Sequence, residues 1–266
     1  MHHKTGLIFA LLALFLAAPA QASDYAKESR WADQILDGLF DGEPVWLEAD
    51  GHRFLSIWTP AKNNPKGAAI LLHGTGVHPD WPQVISPLRT ALPDQGWSTL
   101  SLQMPVLGAT ATMNDYAAEL DEADARIDAA VEYLQSRKVK KIILIGHSLG
   151  AAMGSHYLAQ RPASPIQVFV GLGMGDSRID ALNNAKNLAK TTRPVVDVYG
   201  ENDLPNVVAS AKQRKAARKS TGTLYKQVEI KDTDHFFTGH EQEAIDDVVK
   251  WANFMLGDVE PWYPSH

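Results

Sequence analysis

The sequence of 266 residues contains no cysteine, and this absence excludes several kinds of site at once. Without a thiol the chain forms no disulfide bond, no thiolate metal site and no cysteine nucleophile. No cysteine follows the apolar N-terminal segment either, so the mature N-terminus carries no thioether-linked lipid. An exported protein of this composition depends on its packed core alone for stability.

The sequence also lacks a long hydrophobic run and an excess of positive charge. Its apolar run from Leu7 to Ala18 is about 12 residues long, which is too short to span a bilayer comfortably. The formal net charge is −6, and it becomes −7 when the single charge of Lys4 is removed with the N-terminal segment. A mildly acidic protein does not fit nucleic acid as its main partner.

Residues 1–22 have the composition of a secretory signal peptide. A weakly basic start with Lys4 precedes the apolar run, and Ala20-Gln21-Ala22 follows it as a small-residue cleavage site. A cut after Ala18-Pro19-Ala20 would move the new N-terminus by two residues, and an uncleaved anchor is a further alternative. We expect residues 1–22 to be a signal peptide and residues 23–266 to form one domain in the bacterial periplasm, with secretion as the alternative.

Of the full sequence, 45% of the residues are hydrophobic, which is enough for a sizeable core. Strand-like apolar runs alternate with amphipathic segments along the mature chain. No internal repeat or linker divides it. The predicted strands span residues 53–59, 68–73, 98–103, 141–145, 166–172, 195–199 and 224–230. The predicted helices span residues 82–95, 114–137, 149–160, 179–190, 206–219 and 243–256. This alternation predicts an α/β fold with a mostly parallel central sheet flanked by helices on both faces, and with an antiparallel edge before Ala68.

The longest predicted helix, 114–137, is amphipathic. Its apolar residues recur at three- and four-residue spacing from Tyr116 to Leu134. Asn114 is predicted to cap this helix, because its short side-chain oxygen can accept a hydrogen bond from an unpaired amide of the first turn.

The stretch Lys141-Ile-Ile-Leu-Ile-Gly-His-Ser-Leu-Gly150 carries the strongest functional signal. An apolar run ends in Gly-x-Ser-x-Gly, and small residues that suit a closely packed helix follow it. Gly146 and Gly150 permit a tight turn between strand and helix, which leaves the Ser148 hydroxyl exposed above the sheet. We predict that Ser148 is a nucleophile; the alternative is an ordinary polar turn serine.

A serine nucleophile needs a base and a carboxylate that orients the base. In folds with this turn, the acid and then the histidine follow the serine in the chain, each just after a strand. The loop Gly200-Glu-Asn-Asp-Leu-Pro205 follows a predicted strand, and Asp203 is our predicted acid. Glu201 and Asp176 are alternatives, whereas Asp197 lies inside its strand and is expected to be structural.

The base is predicted at His235. This residue lies in the loop after the last predicted strand, and two aromatic residues that can hold the loop against the core follow it. His240 is the alternative, although its position suits a surface residue or a helix start better.

The oxyanion hole is predicted to use two backbone N–H groups. One belongs to Leu149, the residue after the nucleophile, and the other comes from the loop after the strand that ends at His73. Thr75 is the predicted second donor, with Gly76 as the alternative. His73 itself is expected to hold this loop by hydrogen bonds.

These segments together resemble the α/β-hydrolase superfamily. The resemblance rests on Gly146–Gly150, on His73-Gly74 and on the loops that carry Asp203 and His235, and it covers nearly all of the mature chain. It implies the α/β-hydrolase fold and a Ser–His–Asp site. The metal ligands, lids and specificity loops of better-known hydrolases have no counterpart in this sequence.

A narrower resemblance involves two further segments. His73-Gly-Thr-Gly-Val-His-Pro-Asp-Trp-Pro82, followed by Leu92-Pro-Asp-Gln-Gly-Trp97, is similar to a proteobacterial family known as domain of unknown function 3530. This resemblance implies no substrate.

The predicted activity is that of a serine hydrolase of the carboxylic ester hydrolase class, which cleaves an ester or thioester by a Ser–His–Asp acyl-enzyme mechanism. The 22 residues between Leu172 and Val195 leave room for a crossover helix and no large lid. An open site of this kind suits a water-exposed ester better than a long-chain triglyceride. His78 and Trp81 are candidate substrate-binding residues, and the alternative is a loop folded back with Trp81 buried.

A second interpretation is a catalytically weak, hydrolase-like scaffold that binds a partner in the cell envelope. Lys212, Arg214, Lys215, Arg218 and Lys219 crowd one predicted helix. They form either a solvated helix face or a surface for weak contact with anionic groups.

No organic cofactor or metal ion is indicated by the sequence. His73, His78 and Asp80 lie in one loop, but their placement shows no ligand geometry. We expect a monomer that acts on a small-molecule acyl substrate, without a nucleic-acid partner.

Overall fold

The computed structural model describes residues 23–258, and its eight strands form one sheet; the predicted signal peptide, residues 1–22, lies outside the described residues. The strands are β1 (Glu43–Ala49), β2 (His52–Thr59), β3 (Gly67–Leu72), β4 (Trp97–Leu102), β5 (Ile142–His147), β6 (Val168–Leu172), β7 (Val195–Gly200) and β8 (Tyr225–Ile230). Their order is β1-β2-β4-β3-β5-β6-β7-β8. The β1–β2 and β2–β4 pairs are antiparallel and all other pairs are parallel, so the predicted mostly parallel sheet with an antiparallel edge is confirmed.

Helices cover both faces of this sheet. They are α1 (Tyr25–Gly38), α2 (Ile85–Ala91), α3 (Met113–Ala118), α4 (Leu120–Ser136), α5 (Leu149–Gln160), α6 (Asn184–Leu188), α7 (Pro205–Lys219) and α8 (Glu241–Met255). Helices α4 and α5 pack on one face, and α2 and α8 pack on the other. Within residues 23–258, no helix combines the length and the apolar character needed to cross a membrane.

The predicted single helix 114–137 is wrong, because two helices occupy this segment. Thr112, rather than Asn114, caps the first of them, and its hydroxyl and backbone N–H both bond Asp115. The chain leaves helical geometry at Glu119, with φ −92° and ψ 8°, and α4 begins at the next residue. The buried Glu119 side chain accepts a hydrogen bond from Ser23, a contact that no helical periodicity reveals.

Two other predicted helices are shorter than expected. The segment 82–95 contains only α2, followed by a 3₁₀ turn at Leu92–Gln95, because Val84 takes a positive φ of 66° and Pro93 has no N–H to donate. The segment 179–190 contains a 3₁₀ turn at Asp180–Leu182 and then the five residues of α6. The connection between β6 and β7 therefore holds no large lid.

The N-terminal helix α1 was not predicted. Asp24 caps it by accepting a hydrogen bond from the N–H of Lys27, at 2.9 Å. Ala32 and Ile35 of this helix pack on Leu55 and Ile57 of β2.

The loops at the carboxyl ends of five parallel strands meet at one edge of the sheet. His73 follows β3, Ser148 follows β5, Gly173 follows β6, Asp203 follows β7 and His235 follows β8. Ligands of open α/β sheets bind outside the carboxyl ends of the strands. The five loops therefore define the candidate site.

Candidate active site

Ser148 sits at a strained turn between β5 and α5. Its φ of 55° and ψ of −117° are costly for a residue with a side chain, on the order of 1–3 kcal/mol. The turn is possible because glycine stands on either side of it: a Cβ on Gly146 would lie 2.5 Å from the Gly150 carbonyl oxygen, and one on Gly150 would lie 2.3 Å from that of Leu72. The backbone N–H of Ser148 donates to the Leu172 carbonyl at 2.9 Å and fixes the turn to β6.

Asp203 and His235 form a buried hydrogen bond at the same edge. The distance between His235 Nδ1 and Asp203 Oδ1 is 2.6 Å, and their side chains are 9% and 0% exposed. Asp203 Oδ1 also accepts the N–H of Leu204 at 2.7 Å, which fixes the carboxylate against its own loop. Because the carboxylate accepts the proton on Nδ1, the Nε2 of the neutral imidazole is free to accept a proton.

Gly173 provides the surface against which this pair packs. A Cβ at this position would lie 2.7 Å from His235 Cε1, 2.8 Å from His235 Nδ1 and 3.4 Å from Asp203 Oδ2. Gly173 also has a φ of +60°, which side chains rarely adopt. Only glycine leaves room for the imidazole at its present distance from the sheet.

His147, the variable residue of the Gly-x-Ser-x-Gly motif, holds the His235 loop in place. Its Nε2–H donates to the His235 carbonyl at 3.0 Å, and the two rings lie 4.8 Å apart between centroids. Burial, with the neighbouring His235 ring as a smaller cause, lowers the pKa of His147 to about 4, so the ring is neutral at pH 7. Sequence reasoning assigned this residue no function, and a motif in which its position is variable contains no signal for it.

The loop after β3 lies directly against the nucleophile. A Cβ on Gly74 would lie 3.3 Å from Ser148 Cβ. His73 holds the loop, as expected: its Nδ1–H donates to the Gly74 carbonyl at 2.9 Å, and its Nε2 accepts the N–H of Met104 at 2.9 Å. Burial lowers the pKa of His73 to about 3, and the ring stays neutral.

The alternative acid and base residues are engaged elsewhere. Glu201 pairs with Lys231 at 3.0 Å on the surface, and Asp176 accepts the N–H of Ala185 at 2.9 Å. His240 stands at the start of α8, where its Nδ1 lies 3.0 Å from a carboxylate oxygen of Glu243. The structure brings Asp203, and not these carboxylates, to the imidazole of His235.

His78 lies between two tryptophan side chains. Its ring makes edge contacts with Trp31 of α1 and with Trp81, at centroid distances of 5.4 and 5.3 Å. Burial lowers the pKa of His78. Asp80 in the same loop pairs with the buried Arg89 at 2.8 Å. All three aromatic side chains remain partly exposed, so a role of His78 and Trp81 in substrate binding stays a prediction.

The predicted basic surface on α7 is wrong for two of its five cations. Arg214 is fully buried and pairs with Asp197 of β7 at 2.8 Å, which gives Asp197 the structural role expected of it. Arg218 is also fully buried and donates to the carbonyl oxygens of Leu188 and Thr191, at 2.8 and 2.6 Å. The exposed cations of this helix are its lysines, Lys212, Lys215 and Lys219.

A narrow apolar cavity lies beside the imidazole, between α2, α8 and the loop after β8. Val84, Leu88, Phe236 and Ile245 are among its lining residues. Phe236 places its ring 5.3 Å from that of His235. Val84 occupies a γ-turn with φ 66° and ψ −56°, closed by a 2.7 Å bond from the N–H of residue 85 to the carbonyl of residue 83.

Comparisons with known proteins identify a family and a fold. Residues 8–125 and 114–253 match the model of a family described as "Protein of unknown function (DUF3530)". No curated protein sequence matches the chain.

Solved structures with a similar fold are hydrolases and esterases. Est1E from Butyrivibrio proteoclasticus is 19% identical with a TM-score of 0.61, and the match covers 82% of this chain and 100% of that one. A dienelactone hydrolase from Anabaena variabilis is 18% identical with a TM-score of 0.63, over 79% and 96% of the two chains. XC6422 from Xanthomonas campestris, described as an α/β serine hydrolase without a lid, is 17% identical with a TM-score of 0.60, over 84% and 97%. At these identities the likeness establishes the fold, which is that of the α/β hydrolases.

Proposed function

We propose that this chain, which belongs to the DUF3530 family and has the α/β-hydrolase fold, is a serine hydrolase that cleaves a carboxylic ester or thioester through an acyl-enzyme. The observation that carries the proposal is the buried hydrogen bond between His235 Nδ1 and Asp203 Oδ1, at the sheet edge where Ser148 is held at positive φ. A scaffold that only binds a partner needs neither the strained serine nor the buried pair.

The proposed reaction uses the same three residues in both half-reactions. Ser148 Oγ attacks the carbonyl carbon of the substrate while Nε2 of His235 takes the hydroxyl proton. The Asp203 carboxylate stabilises the imidazolium, which then gives the proton to the departing alcohol or thiol. A water molecule attacks the acyl-enzyme with the same proton transfers and releases the acid.

The negative charge that develops on the substrate oxygen requires preorganised donors. We assign these to the backbone N–H groups of Leu149 and Thr75. The support is the close approach of the loop after β3 to the turn between β5 and α5, where a Cβ added to Gly74 would lie 3.3 Å from Ser148 Cβ. Loss of one donor of this kind typically costs about 3 kcal/mol of transition-state stabilisation.

A short acyl chain is the substrate feature that the surroundings favour. The connection between β6 and β7 is too short for a lid, and the apolar cavity beside Phe236 is narrow. We therefore propose a water-exposed ester or thioester as substrate. With residues 1–22 as a signal peptide, the proposed location is the periplasm, with secretion as the alternative.

A fluorophosphonate tests the proposal, because it phosphonylates activated serines: the serine oxygen forms a bond to phosphorus and fluoride leaves. The mature protein, from Ser23 onward, is treated with the reagent and its intact mass is measured beside Ser148→Ala and His235→Ala. We expect one adduct in the wild-type protein and none in either variant. Ser220→Ala and His240→Ala remove an exposed serine and a partly exposed histidine at the start of α8 as controls, and both should label fully.

Two outcomes contradict the proposal. Absence of an adduct on folded wild-type protein means that the serine is not activated, and pull-down of an envelope partner is then the next experiment. A strong preference for long-chain esters over acetate and butyrate, with activation at an interface, contradicts the substrate class while leaving the mechanism intact.

A further inference from the structure

Ser23, the first residue that the structure describes, is buried in an acidic pocket. Its side chain is only 7% exposed, and its hydroxyl donates to Glu122 Oε2 at 2.8 Å, with Glu119 Oε2 at 3.4 Å. The next residue is fixed as well, since the N–H of Asp24 donates to the Val106 carbonyl at 2.7 Å. The backbone nitrogen of Ser23 is three covalent bonds from this hydroxyl oxygen, which places it within several ångströms of both carboxyl groups.

The pocket contains more carboxyl groups than cations. Arg126 is fully buried and donates to both carboxylate oxygens of Glu28, at 3.0 and 3.1 Å, and it also pairs with Glu122. Glu119 is the third carboxyl group, and it is 8% exposed. A further titratable group is His52, whose Nε2 lies 3.3 Å from Glu28 Oε2.

Two buried carboxyl groups, Glu28 and Glu119, and the half-buried Glu122 surround one guanidinium and leave an unbalanced negative charge. Burial, followed by the hydrogen bond and the charge of Glu122, raises the pKa of Glu119 to about 7. At pH 7 this carboxyl group is therefore protonated in about half of the molecules when no further cation is present. A second cation in the pocket would take the place of that proton.

The sequence supplies an independent reason to expect a cation at this position. The small-residue motif Ala20-Gln21-Ala22, typical of the site cut by a signal peptidase, ends at the residue before Ser23. We infer that the peptide bond between Ala22 and Ser23 is the cleavage site, and that the new α-ammonium group of Ser23 is bound in the pocket by Glu119 and Glu122. The cleavage motif ends at the bond between Ala22 and Ser23, and the acidic pocket binds the residue that follows this bond.

The reaction that produces this group is a hydrolysis. Water adds its hydroxyl to the carbonyl carbon of Ala22 and a proton to the nitrogen of Ser23 as the amide C–N bond breaks. At neutral pH the new acid loses a proton and the new amine gains one. A cut after Ala20 instead would leave the nitrogen of Ser23 as an uncharged amide, so the pocket distinguishes the two cuts that the sequence leaves open.

The ammonium group would fix the N-terminal helix to the body of the protein. Ser23 and Asp24 lead directly into α1, while Glu119 and Glu122 belong to the start of α4. The positive end of the α1 dipole opposes an ammonium group at this position. We expect the buried carboxylates to outweigh this effect, because they are closer to the nitrogen and little screened by water. Through Trp31, α1 also contacts His78 beside the candidate site.

The first test determines the N-terminus and the ionisation of its amine. The full chain is exported with its own leader, and the intact mass of the product is measured; we expect a chain that starts at Ser23. The product is then labelled with limiting acetic anhydride across pH in competition with a reference peptide. We expect an amine pKa at least one unit above the ordinary value of about 7.7–8.0. Glu122→Gln should lower it, and Glu132→Gln, an exposed change on the same helix, should not.

The second test compares four proteins, two N-termini each with and without one substitution. It can contradict the inference even when a single variant folds poorly. Proteins that start at Ser23 and at Gln21 are prepared with and without Glu119→Gln, and their thermal unfolding is compared at pH 8. In the Ser23 protein the variant removes a partner of the ammonium group and should lower the melting temperature. In the Gln21 protein it removes an uncompensated buried charge and should raise it.

Several results would overturn the inference: a product that starts at Gln21, an ordinary pKa for the amine of Ser23, or the same sign of effect in both backgrounds. None of these measurements depends on hydrolase activity, so they fail or succeed separately from the function proposed above.

Discussion

At the scale of single residues, the position of the His235 imidazole, the proposed base, depends on the absence of a side chain at Gly173. A methyl group there would meet the ring of His235 at 2.7–2.8 Å, and the ring cannot turn away without breaking its bond to Asp203. Gly173→Ala should therefore slow fluorophosphonate labelling of Ser148 by about 10²-fold or more, the usual contribution of a general base.

The matched control for this variant is Gly222→Ala. Gly222 has a φ of +67°, close to the +60° of Gly173, but a Cβ added to it would meet no atom within 4 Å beyond its chain neighbours. Both variants carry the cost of a side chain at positive φ, about 1 kcal/mol, and only Gly173→Ala displaces the imidazole. Equal labelling rates for the two variants would contradict the role assigned to Gly173.

The residues of the candidate site were predictable from the sequence to different degrees. Ser148 and Asp203 are predictable because they follow apolar strands, and His235 because it follows the last predicted strand; their order in the chain also has a chemical meaning. His147 and Gly173 are not predictable, because their importance lies in contacts with a loop about 60–90 residues further along the chain. Local sequence patterns contain no information about such contacts.

At the scale of secondary-structure elements, helix α7 is attached to the sheet by a buried ion pair. Arg214 and Asp197 are both fully buried, and Asp197 also accepts hydrogen bonds from Tyr225 at 2.5 Å and Gln227 at 2.9 Å. Arg214→Met should leave this carboxylate without its cation and lower the free energy of unfolding by about 3–5 kcal/mol. Urea denaturation measures the change.

Lys215→Met on the same helix is the control for this prediction. It removes the same formal charge from an exposed position, and the expected change in the free energy of unfolding is within about 0.5 kcal/mol. A similar small effect of Arg214→Met would mean that the buried pair contributes little to holding α7 on β7.

The predicted bounds are most accurate for the strands that are buried on both faces. The central strands are continuous apolar runs, since both of their faces are covered, and their predicted bounds lie within two residues of the observed ones. The helix break at Glu119 was missed because apolar periodicity continues across it from Tyr116 to Leu120. The buried arginines of α7 were mistaken for surface cations because charge alone does not indicate burial.

At the scale of the whole molecule, two buried histidines make stability depend on pH. The pKa of His73 is lowered to about 3 and that of His147 to about 4, both mainly by burial, while the unfolded chain titrates near 6.5. Between these values the unfolded state binds more protons than the folded state. The stabilisation is therefore complete above pH 6.5 and is lost as the pH falls towards 4, by at most about 1.4 kcal/mol per pH unit for each histidine.

The contribution of one histidine is measured by difference, because Asp124 titrates in the opposite sense: burial raises its pKa to about 7. His147→Gln keeps an N–H donor for the His235 carbonyl but removes the titratable imidazole. Its free energy of unfolding should fall less steeply than that of the wild-type protein between pH 6.5 and 4. Parallel curves for the wild-type protein and His147→Gln would contradict the prediction.

The positions of the proposed nucleophile and base in the sheet determine whether serine reactivity or sheet structure is lost first on heating. Ser148 follows β5, which has a partner strand on each side, whereas His235 follows β8, which pairs only with β7 in the part of the chain described. Local opening at that edge separates the base from the nucleophile while the remaining strands stay paired. Amide hydrogens of β8 should therefore exchange with solvent faster than those of β5, and on heating, reactivity of the serine should disappear several degrees before the circular dichroism of the sheet.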